Sequence, residues 1–462
     1  MSPNTRVRAR KGGHLPATTS HGSEQLVWTE EEDLPQAVRS TGTGFSFDVA
    51  IVGLGYVGLP TALAVNASGR KVVGLDVSEA RLATIRSQQA DLLGSDRARL
   101  ATALESPDFV ISTDLSLLAK AAAVIVCVPT PVDSYLVPDL SILRSACAAV
   151  VEFAVPGQLL MLTSTTYVGT TRDMLALPLE ARGLVAGKDV FVAFSPERIN
   201  PGVDAFSHED VPRVVGGVTE ACGRAAEALL QASTKLVHVV PSADAAEMTK
   251  LVENTFRAVN IALANEFADI CQAMHIEVMD VINAAATKPY GFMPFTPGPG
   301  VGGHCIPCDP HYLLWQLRKA RLATPVIESA MAGIAARPHQ VVERARRILS
   351  DRDHGISAAR VLIVGVAYKP DVEDLRESPA LEIIEALRAE DAQVAYYDNW
   401  CPTAPDGSGG RLSSLEDPAA WKPDLAIVHT RHTGVDLSFL DDVPVVLDTT
   451  YKLPNAANLI RL

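Results

Sequence analysis

The sequence predicts an α/β protein with two Rossmann-like domains, each a doubly wound parallel sheet, joined by a long central helix. Three observations lead to this fold class. A β-branched run, a glycine turn and a helical stretch follow one another from residue 47, the same order returns near residue 358, and more than thirty residues of helical periodicity lie between them. We expect four parts, which are a flexible tail (1–46), a first α/β domain (47–240), a central helical domain (241–350) and a second α/β domain (351–462).

The composition is typical of a globular protein with reduced cysteines. With 462 residues, 48% of them hydrophobic, the chain suggests roughly three folding units of about 150 residues. Its net charge of -14 argues against nucleic acid or anionic lipid as a partner. No apolar run reaches the roughly 18 residues of a membrane helix, and no apolar stretch follows the basic residues 6–11 to form a secretory signal. Seven cysteines, mostly in apolar surroundings, indicate free thiols in a cytoplasmic protein.

Strands and helices alternate through the first α/β domain. The stretch "FDVAIVGLGYVGLPTALAVNASGRKVVGLDVS" is typical of a strand, a turn, a helix and a second strand. Helical segments then separate four further strand-like runs, at 122–130, 158–165, 190–196 and 213–218. Strands that alternate with helices usually pair in parallel, so we expect a mostly parallel sheet with helices on both faces.

The first turn has the spacing of a dinucleotide-binding loop. Gly53, Gly55 and Gly58 form G-x-G-x-x-G between a strand and a helix, which permits a tight turn, close approach of a pyrophosphate and close packing of helix on strand. Asp76 ends the second strand, 76 − 53 = 23 residues after the first glycine, where a carboxylate can accept from both ribose hydroxyls. No arginine follows this acid directly, which favours NAD over NADP. The alternative is a tight turn with a surface aspartate.

Residues 241–276 have the periodicity of a single helix, which a capping box of Asp244 and Glu247 would open. This helix is longer than an ordinary domain needs, so we expect it to link two domains and to supply a subunit interface. Lys250 and Asn254 are four residues apart and share one face, from which both can donate to one oxyanion. In isolation the pair is equally typical of a polar stripe on an amphipathic helix.

The loop "GPGVGGHCIPCDPHY" at 298–312 concentrates two cysteines, two histidines and an aspartate. Structural zinc is a poor interpretation, because the adjacent His304 and Cys305 cannot easily face one tetrahedral ion and no second Cys/His pair lies nearby. A redox pair of Cys305 and Cys308 lacks the thioredoxin-like context of such pairs. We therefore expect no bound metal.

A single nucleophilic thiolate is the remaining chemical interpretation of this loop. Cys305 would be the nucleophile, and Asp309, four residues on, would handle water. Four glycines remove side chains so that a bulky substrate can approach; they are Gly298, Gly300, Gly302 and Gly303. The alternative is that both cysteines only pack and that the glycines only turn the chain. The loop by itself does not decide between these two.

The second α/β domain repeats the first in a smaller form. A helical continuation at 310–350 leads to the strand and turn in "AARVLIVGVAYKPDV", and the runs "AQVAYYDNW", "DLAIVHT" and "PVVLDTT" complete the sheet. Gly365 and Ala367 imitate the dinucleotide fingerprint only in part. We expect this domain to bind another phosphate-containing ligand.

Five motifs in order give the chain a family resemblance: "VCVPTP" (126–131), "SPERINPG" (195–202), "EMTKLVENTFRAVNIALANE" (247–266), "GGHCIPCDP" (302–310) and "YKPDVEDLRESPALEII" (368–384). Together they resemble the UDP-glucose/GDP-mannose dehydrogenase family over roughly residues 47–452. The resemblance implies an enzyme that oxidises the C6 alcohol of a nucleotide-diphosphate hexose to a carboxylate with two NAD⁺ per sugar. It also implies an NAD-binding first domain, a nucleotide-binding last domain and a homodimer formed through the central helix.

The resemblance also implies roles for individual residues. Cys305 takes the nucleophile position, Asp309, Lys250 and Asn254 surround the reacting carbon, and Glu197 is linked to water activation. The implied cofactor contacts are Gly53, Gly55, Tyr56, Val57, Gly58, Asp76, Arg81, Pro129, Thr130, Thr165 and Arg376. The implied substrate contacts are Glu197, Lys250, Asn254, Phe295, Gly302 and Lys369.

Two departures from the family pattern bear on the substrate. Thr450 stands where a basic residue is expected, so Lys452 could replace that contact, and "KPYGFMPFTPGPG" lacks the basic residue that UDP-glucose enzymes extend toward a neighbouring subunit's sugar. UDP-glucose is the first expectation, with UDP-N-acetylglucosamine, UDP-N-acetylmannosamine and dTDP-glucose as alternatives. A one-step NAD-dependent hydroxyacid dehydrogenase and an inactive sugar-nucleotide-binding protein are the rival functions.

Overall fold

The computed structural model describes residues 44–92, 94–198 and 210–462. Its first sheet consists of the strands β1 (Phe47–Val52), β2 (Val72–Leu75), β3 (Phe109–Ser112), β4 (Ala121–Val126), β5 (Leu159–Leu162), β6 (Phe191–Phe194), β7 (Arg213–Gly217) and β8 (Val237–Val240). The strand order is β3-β2-β1-β4-β5-β6-β7-β8. Every neighbouring pair is parallel except β6 and β7, which pair antiparallel.

Helices cover both faces of this sheet. They are α1 (Gly58–Ala67), α2 (Glu79–Arg86), α3 (Gly94–Glu105), α4 (Ser141–Phe153), α5 (Leu177–Ala181) and α6 (Glu220–Gln231), with a 3₁₀ turn at Leu115–Lys120 and a π turn at Arg172–Ala176. Alternate residues of β1 enter two separate cores, Val49 and Ile51 on one face and Ala50 and Val52 on the other. This is why the strand is almost wholly apolar, as buried parallel strands are.

The central helix is α7 (Ala243–Ala273), and it joins two hydrophobic cores. Ala246 and Leu251, near its start, pack into a core of the first sheet. Ala268 and Cys271, near its end, pack into the core of the second sheet. One rigid element therefore fixes the position of both halves, which agrees with the linking role predicted from its length.

The predicted capping box at the start of α7 is wrong. The N-cap is Ser242, whose hydroxyl accepts from the amide of Ala245. Glu247 is only 1% exposed, and its carboxylate accepts from the amides of Gly169 and Thr171 and from the Thr171 hydroxyl. A tertiary contact to another segment has therefore taken the side chain that the local motif would have used.

The predicted helical continuation at 310–350 is two helices, preceded by a short one. They are α8 (Val278–Ala286), α9 (Asp309–Ala320) and α10 (Pro325–Ser350). Arg321, at a positive φ of 53°, ends α9, and Pro325 begins α10. A left-handed residue and a following proline are frequent stop and start signals of helices.

The second sheet contains β9 (Arg360–Val364), β10 (Gln393–Tyr397), β13 (Leu425–Val428), β14 (Val446–Asp448) and β15 (Leu459–Arg461). A hairpin of β11 (Thr403–Pro405) and β12 (Arg411–Ser413), helix α11 (Pro379–Ala389) and a 3₁₀ turn at Ser438–Asp442 complete this part. The order is β10-β9-β13-β14-β15, parallel throughout. The predicted fold class is confirmed, whereas the exact domain boundaries stay predictions. Among the described residues, no helix is both long and apolar enough to cross a membrane.

Candidate active site

Five of the predicted site residues follow the carboxyl ends of strands that run in parallel. Gly53 follows β1, Asp76 follows β2, Thr130 lies in the loop after β4, Thr165 after β5 and Glu197 after β6. Carboxyl ends of parallel strands meet at one edge of a sheet, and here the strand order reverses between β1 and β4. Ligands of open α/β sheets bind in the crevice at such a reversal.

The glycine turn has the shape that a pyrophosphate needs. Gly53 has a φ of +88°, and a Cβ at this position would lie 2.9 Å from the Cys127 carbonyl oxygen. A Cβ on Gly58 would lie 1.8 Å from the Gly53 carbonyl oxygen, whereas one on Gly55 would meet nothing within 4 Å. The first and third glycines are thus required by packing, and the second leaves open space beside the start of α1. Val57 is the N-cap of this helix and provides no side-chain cap. The Leu59 amide donates to the Gly55 carbonyl at 3.1 Å, and Pro60 has no amide hydrogen, so an anion here would bind to amides that precede Leu59.

Asp76 and Arg81 hold the glycine turn through the two backbone polar groups of one residue, Leu54. The Asp76 carboxylate accepts from the Leu54 amide at 2.9 Å, while the Arg81 Nε donates to the Leu54 carbonyl at 2.9 Å. A second Arg81 nitrogen lies 3.0 Å from Asp91. Because Asp91 engages this guanidinium, the geometry fits a ribose with free hydroxyls better than a 2′-phosphate.

Tyr56, in the middle of the glycine turn, contacts the segment that follows β9. The Arg376 guanidinium lies 5.1 Å from the centroid of the Tyr56 ring, in cation–π geometry, and is paired with Asp374 at 2.5 Å. Burial raises the pKa of the Tyr56 hydroxyl, and the nearby Tyr368 raises it further. The cofactor turn of the first sheet and a loop of the second sheet therefore meet directly.

The same segment packs against the loop that carries Cys305. The Gly303 amide donates to the Arg376 carbonyl at 3.0 Å, and a Cβ on Gly303 would lie 2.8 Å from the Tyr368 ring. A Cβ on Gly302 would lie 2.5 Å from the carbonyl oxygen of Glu377. The glycine pattern predicts open space for a substrate, but protein atoms of residues 368–377 fill the space beside Gly302 and Gly303. The role of Gly302 in substrate binding stays a prediction.

Asp309 brings three predicted residues together. It is the first residue of α9, is only 3% exposed, and its amide donates to the Cys305 carbonyl at 2.8 Å. One carboxylate oxygen of Asp309 accepts from the Asn254 amide group of α7 and from the Thr165 hydroxyl at 3.4 Å. The cysteine loop, the central helix and the first sheet thus converge on one carboxylate.

The environment of Asp309 suits proton transfer near neutral pH. Burial raises its pKa to about 6, against the opposing effects of the Lys250 charge and of the hydrogen bonds from Asn254 and Thr165. A carboxyl with such a pKa can accept and release a proton close to the operating pH, as general acid–base catalysis requires.

Cys305 differs from the other cysteines. All seven cysteines lie in the described part of the chain, and six of them are buried, whereas Cys305 is exposed. Solvent reaches this residue, although many protein atoms lie close to its side chain. This crowding and the charge of Asp309 raise the pKa of its thiol, whereas Lys250, Arg257 and Arg376 lower it. The raising influences prevail, so the pKa of the thiol lies above its ordinary value, and the three cations offset only part of the increase.

Glu197 is oriented differently from the expectation. Its backbone carbonyl accepts from the Lys250 ammonium at 2.6 Å, while its carboxylate is paired with Arg213 at 2.7 Å. Both side chains of that pair are nearly buried. Glu197 therefore helps to hold Lys250 through its backbone, and the arginine engages the carboxylate that was expected to activate water.

Contacts to other residues position the remaining predicted residues. Phe295 makes an edge-to-face contact with Phe256 of α7, with ring centroids 5.9 Å apart. Thr130 accepts, through its carbonyl, from the Tyr312 hydroxyl at 3.1 Å, and Pro129 is exposed. Burial lowers the pKa of the Lys369 ammonium, and the neighbouring Arg257 lowers it further.

Three residues that the sequence analysis did not single out belong to the site. Arg213 pairs with Glu197, Tyr368 packs on Gly303, and Arg257 lies in electrostatic reach of Cys305. Only Arg257 had a detectable signal, because it lies seven residues after Lys250 and three after Asn254, on the same helical face.

Two further observations concern metal binding and Thr450, and the expectation that no metal binds stays a prediction. Among the described residues, no group of three or more histidine, cysteine, aspartate or glutamate side chains is arranged to hold a metal ion. Thr450 donates from its amide and its hydroxyl to the Asp448 carboxylate at 2.8 Å and 2.7 Å. The Asp448 carboxylate therefore caps a turn by accepting from Thr450, and Lys452 as the replacement for the expected basic residue stays a prediction.

Comparison with protein families matches three consecutive models of one family. The UDP-glucose/GDP-mannose dehydrogenase family supplies an NAD binding domain that matches residues 47–234, a central domain that matches 244–333 and a UDP binding domain that matches 362–453. Together these matches cover well over half of the chain.

Similar proteins act on sugar nucleotides. The chain is 36% identical to UDP-N-acetyl-D-mannosamine dehydrogenase of Pyrococcus horikoshii, over 76% of this chain and 83% of that protein. It is also 36% identical to UDP-N-acetyl-D-glucosamine 6-dehydrogenase of Pseudomonas aeruginosa, over 76% and 82%. A solved structure of the Pyrococcus horikoshii UDP-D-ManNAc dehydrogenase superposes with a TM-score of 0.81 at 31% identity, covering 89% of this chain and 98% of that one.

Proposed function

The chain belongs to the UDP-glucose/GDP-mannose dehydrogenase family and is an NAD-dependent nucleotide-sugar dehydrogenase, and from this premise we propose that it oxidises the C6 alcohol of a UDP-N-acetylhexosamine to a carboxylate through a thioester on Cys305. One observation carries the proposal. The exposed cysteine, Cys305, lies four residues before a buried aspartate whose amide donates to its carbonyl, and the central helix and the first sheet hold that aspartate in place.

Cofactor binding is assigned to the glycine turn and its neighbours. Backbone amides of the glycine turn hold the pyrophosphate, Asp76 accepts from the ribose, and Thr130 and Thr165 line the nicotinamide side. When bound there, NAD accepts a hydride from the sugar carbon in each of the two oxidations.

The first oxidation needs a base at the C6 hydroxyl. Asp309, whose pKa lies at about 6, accepts the hydroxyl proton directly or through a water. Lys250 and Asn254, on the same helical face, donate to the developing oxygen anion. The product of this step is an aldehyde at C6.

Cys305 then keeps the aldehyde on the enzyme. Its sulfur forms a bond to C6, and the second oxidation converts the resulting thiohemiacetal into a thioester. Asp309, which has by then released the C6 hydroxyl proton to solvent, takes a proton from a water whose oxygen attacks C6. The carbon–sulfur bond breaks, the sulfur leaves as thiolate, and the sugar leaves as a carboxylate. We assign the base to Asp309 rather than to Glu197, because Arg213 is paired with the Glu197 carboxylate.

The acetamido sugar is chosen on two grounds. The similar proteins named above are a UDP-N-acetylmannosamine and a UDP-N-acetylglucosamine enzyme. The segment at 288–300 also lacks the basic residue of the UDP-glucose enzymes. UDP-glucose, the first expectation from the sequence, and dTDP-glucose are therefore secondary candidates.

The test is the amount of NADH formed per sugar. Limiting UDP-N-acetylglucosamine, UDP-N-acetylmannosamine, UDP-glucose and dTDP-glucose are each given to the protein with excess NAD. We expect two NADH per sugar and a uronic acid from an acetamido donor. One NADH per sugar would assign the protein to the single-step dehydrogenases.

Two cysteine variants separate the nucleophile from packing. Cys305→Ser should lower uronic acid formation at least about a hundredfold, because an alkoxide is a poor substitute for the thiolate. Cys308→Ser changes the buried neighbour of Cys305 and should keep two NADH per sugar. Unimpaired uronic acid formation by Cys305→Ser would overturn the mechanism.

We also propose that the protein is a homodimer formed through α7. Six large apolar side chains on this helix are between 43% and 63% exposed; they are Val252, Phe256, Leu263, Phe267, Ile270 and Met274. Their spacings of 4, 7, 4, 3 and 4 residues place them on one stripe, opposite the face of Lys250 and Asn254. Such a stripe on a 31-residue helix fits a second copy of itself across a two-fold axis. The cytoplasmic location expected from the sequence stays a prediction.

A further inference from the structure

A buried histidine outside the candidate active site joins three loops at the carboxyl edge of the second sheet. His432 lies in the loop after β13 and is only 5% exposed. Its Nδ1 accepts from the amide of Asp371, in the loop after β9, at 2.9 Å. Its Nε2 lies 3.2 Å from a carboxylate oxygen of Asp398, in the loop after β10. Because Nδ1 accepts an N–H, the ring hydrogen is on Nε2, which donates to the carboxylate.

The Asp398 carboxylate holds this imidazole in one orientation. Its side chain is fully buried, and it accepts from the amides of Val366 and Trp400, both at 2.7 Å. Burial alone would raise the pKa of Asp398, but the hydrogen bonds from His432 and from these two amides keep it below its ordinary value. The Trp400 indole is stacked on the imidazole, with ring centroids 5.8 Å apart. The second sheet therefore sets both the position and the tautomer of His432.

Asp371 is held by His432 and by the next residue along the chain. Its carboxylate accepts from the amide and the hydroxyl of Thr433, both at 2.7 Å. The φ of Asp371 is +63°, a backbone conformation that residues other than glycine rarely adopt and that surrounding contacts must maintain. The hydrogen bonds to His432 and Thr433 supply such contacts. These three residues are called the Asp371 clip below.

The turn that contains Asp371 is the one that packs on the cysteine loop. The Tyr368 amide donates to the Asp374 carbonyl at 3.0 Å, so residues 368–374 form a closed turn with Asp371 in its middle. The Tyr368 ring lies beside Gly303, two residues before Cys305. A displacement of Asp371 is therefore passed to Cys305 through directly connected groups.

We propose that His432 is a positioning residue for the dehydrogenase reaction: through the Asp371 amide it holds the turn at 368–374 against the cysteine loop and so sets the position of Cys305. This inference rests on the proposed function, because it concerns the thiol assigned there as the nucleophile. The acceptor at Nδ1 is the group that matters to the reaction, whereas the donor at Nε2 only orients the ring. His432 acts through the backbone of Asp371 and not on the sugar.

Two substitutions of His432 each keep one nitrogen function. In His432→Asn the side-chain Oδ1 takes the place of Nδ1 and can still accept from the Asp371 amide. In His432→Gln the side-chain Nε2 takes the place of the imidazole Nε2 and can still donate to Asp398. Each variant loses one buried hydrogen bond, so both should lower the melting temperature to a similar extent. Only the glutamine variant should disturb Cys305.

The experiment measures the rate of Cys305 alkylation by iodoacetamide, followed by peptide mass spectrometry, and kcat with the donor that yields two NADH per sugar. The full-length protein is used at one pH. His432→Gln should raise the alkylation rate at least about threefold and lower kcat at least about tenfold, because small displacements of reacting groups are costly. NADH affinity should not change. His432→Asn should stay within about twofold of the wild type in both quantities, since the acceptor is retained.

Two further variants complete the design. His238→Gln makes the same change at an exposed position on β8 and should behave like the wild type. Thr433→Val leaves His432 in place and removes one hydrogen bond of the Asp371 clip at an exposed residue. It should raise the alkylation rate of Cys305 by about twofold.

Three results would contradict the inference. The first is a wild-type alkylation rate or a wild-type kcat in His432→Gln. The second is an equal loss of kcat in the asparagine and glutamine variants, which would make His432 a structural residue. The third applies if His432→Gln does not fold, and is a wild-type alkylation rate in Thr433→Val. None of these results affects the proposed function, which fails separately if the wild-type protein forms only one NADH per sugar.

Discussion

Asp309 is the proposed catalytic base, and burial of its charge lowers the stability of the folded protein. Its carboxylate is almost completely buried at the start of α9, and burial raises its pKa to about 6 from an ordinary 3.8. Between these two values the folded protein binds more protons than the unfolded chain. The contribution of Asp309 to the free energy of unfolding is therefore most favourable below about pH 4 and falls as the pH rises to about 6. The difference amounts to about 3 kcal/mol at most.

Asp309→Asn should make the protein more stable and less active at pH 8. The amide removes the buried charge, so urea unfolding at pH 8 should show a gain of about 1–3 kcal/mol that shrinks as the pH falls toward 4. Loss of the base should lower kcat by about 10²–10⁴-fold. Glu152→Gln, an exposed change on α4, should leave both quantities unaltered. A variant with the wild-type dependence of stability on pH would contradict the raised pKa.

Among the loops and helices, the segment after β9 has the widest influence on the site. Its Arg376 stacks on Tyr56 of the cofactor turn, and its Tyr368 packs on Gly303 of the cysteine loop. The second sheet therefore sets the position of Cys305 relative to the cofactor turn of the first sheet. A change in this contact should alter the chemistry more than the overall stability.

Gly303→Ala tests this contact. The native φ of +82° is unfavourable for alanine, and the new methyl group would lie 2.8 Å from the Tyr368 ring. We expect a loss of about 1–3 kcal/mol in stability and a fall in kcat of about a hundredfold, because small displacements of reacting groups are costly. Both are read from urea unfolding and steady-state kinetics.

Gly298→Ala is the matched control in the same loop. A Cβ there has open space, with its nearest neighbour, the Gly300 carbonyl oxygen, 4.0 Å away. This variant should keep wild-type kcat. Equal losses in both alanine variants would show that loop flexibility, rather than the contact with Tyr368, controls the activity.

In the proposed dimer, one face of α7 contributes to the active site and the opposite face contacts the partner subunit. One face holds Lys250 and Asn254 at the site, and the opposite face carries the apolar stripe proposed as the dimer interface. The two ends of the helix are anchored in different cores, so the stripe is presented by a rigid element.

Phe267→Glu should therefore convert the dimer to a monomer. A charge in the middle of a two-fold interface faces its own copy and is desolvated there, which strongly disfavours association. Light scattering after size-exclusion chromatography measures the mass. Leu236→Glu places the same charge on another exposed leucine, outside α7, and should remain dimeric. A dimer with Phe267→Glu would exclude the stripe as the interface.

Local sequence patterns were enough to predict much of the fold. The glycine turn, the period of α7 and the apolar strands gave the fold class, and the family and NAD followed from motifs whose spacing reflects local backbone requirements. All three are confirmed. The sequence does not predict the break between α9 and α10 at Arg321, nor the small hairpin of β11 and β12. Short elements leave little periodicity in the sequence.

The site needed distant contacts that no local pattern contains. Sequence spacing put Glu247 into a capping role, but packing pairs it with Gly169 and Thr171. The family resemblance linked Glu197 to water activation, which stays a prediction, and the tertiary fold places Arg213 beside its carboxylate. The glycines before Cys305 suggested open space, which the chain itself fills with a segment more than sixty residues away in sequence. Residue types and spacing limit what chemistry is possible, whereas the pairing of a buried charge depends on which segments the tertiary fold brings beside it.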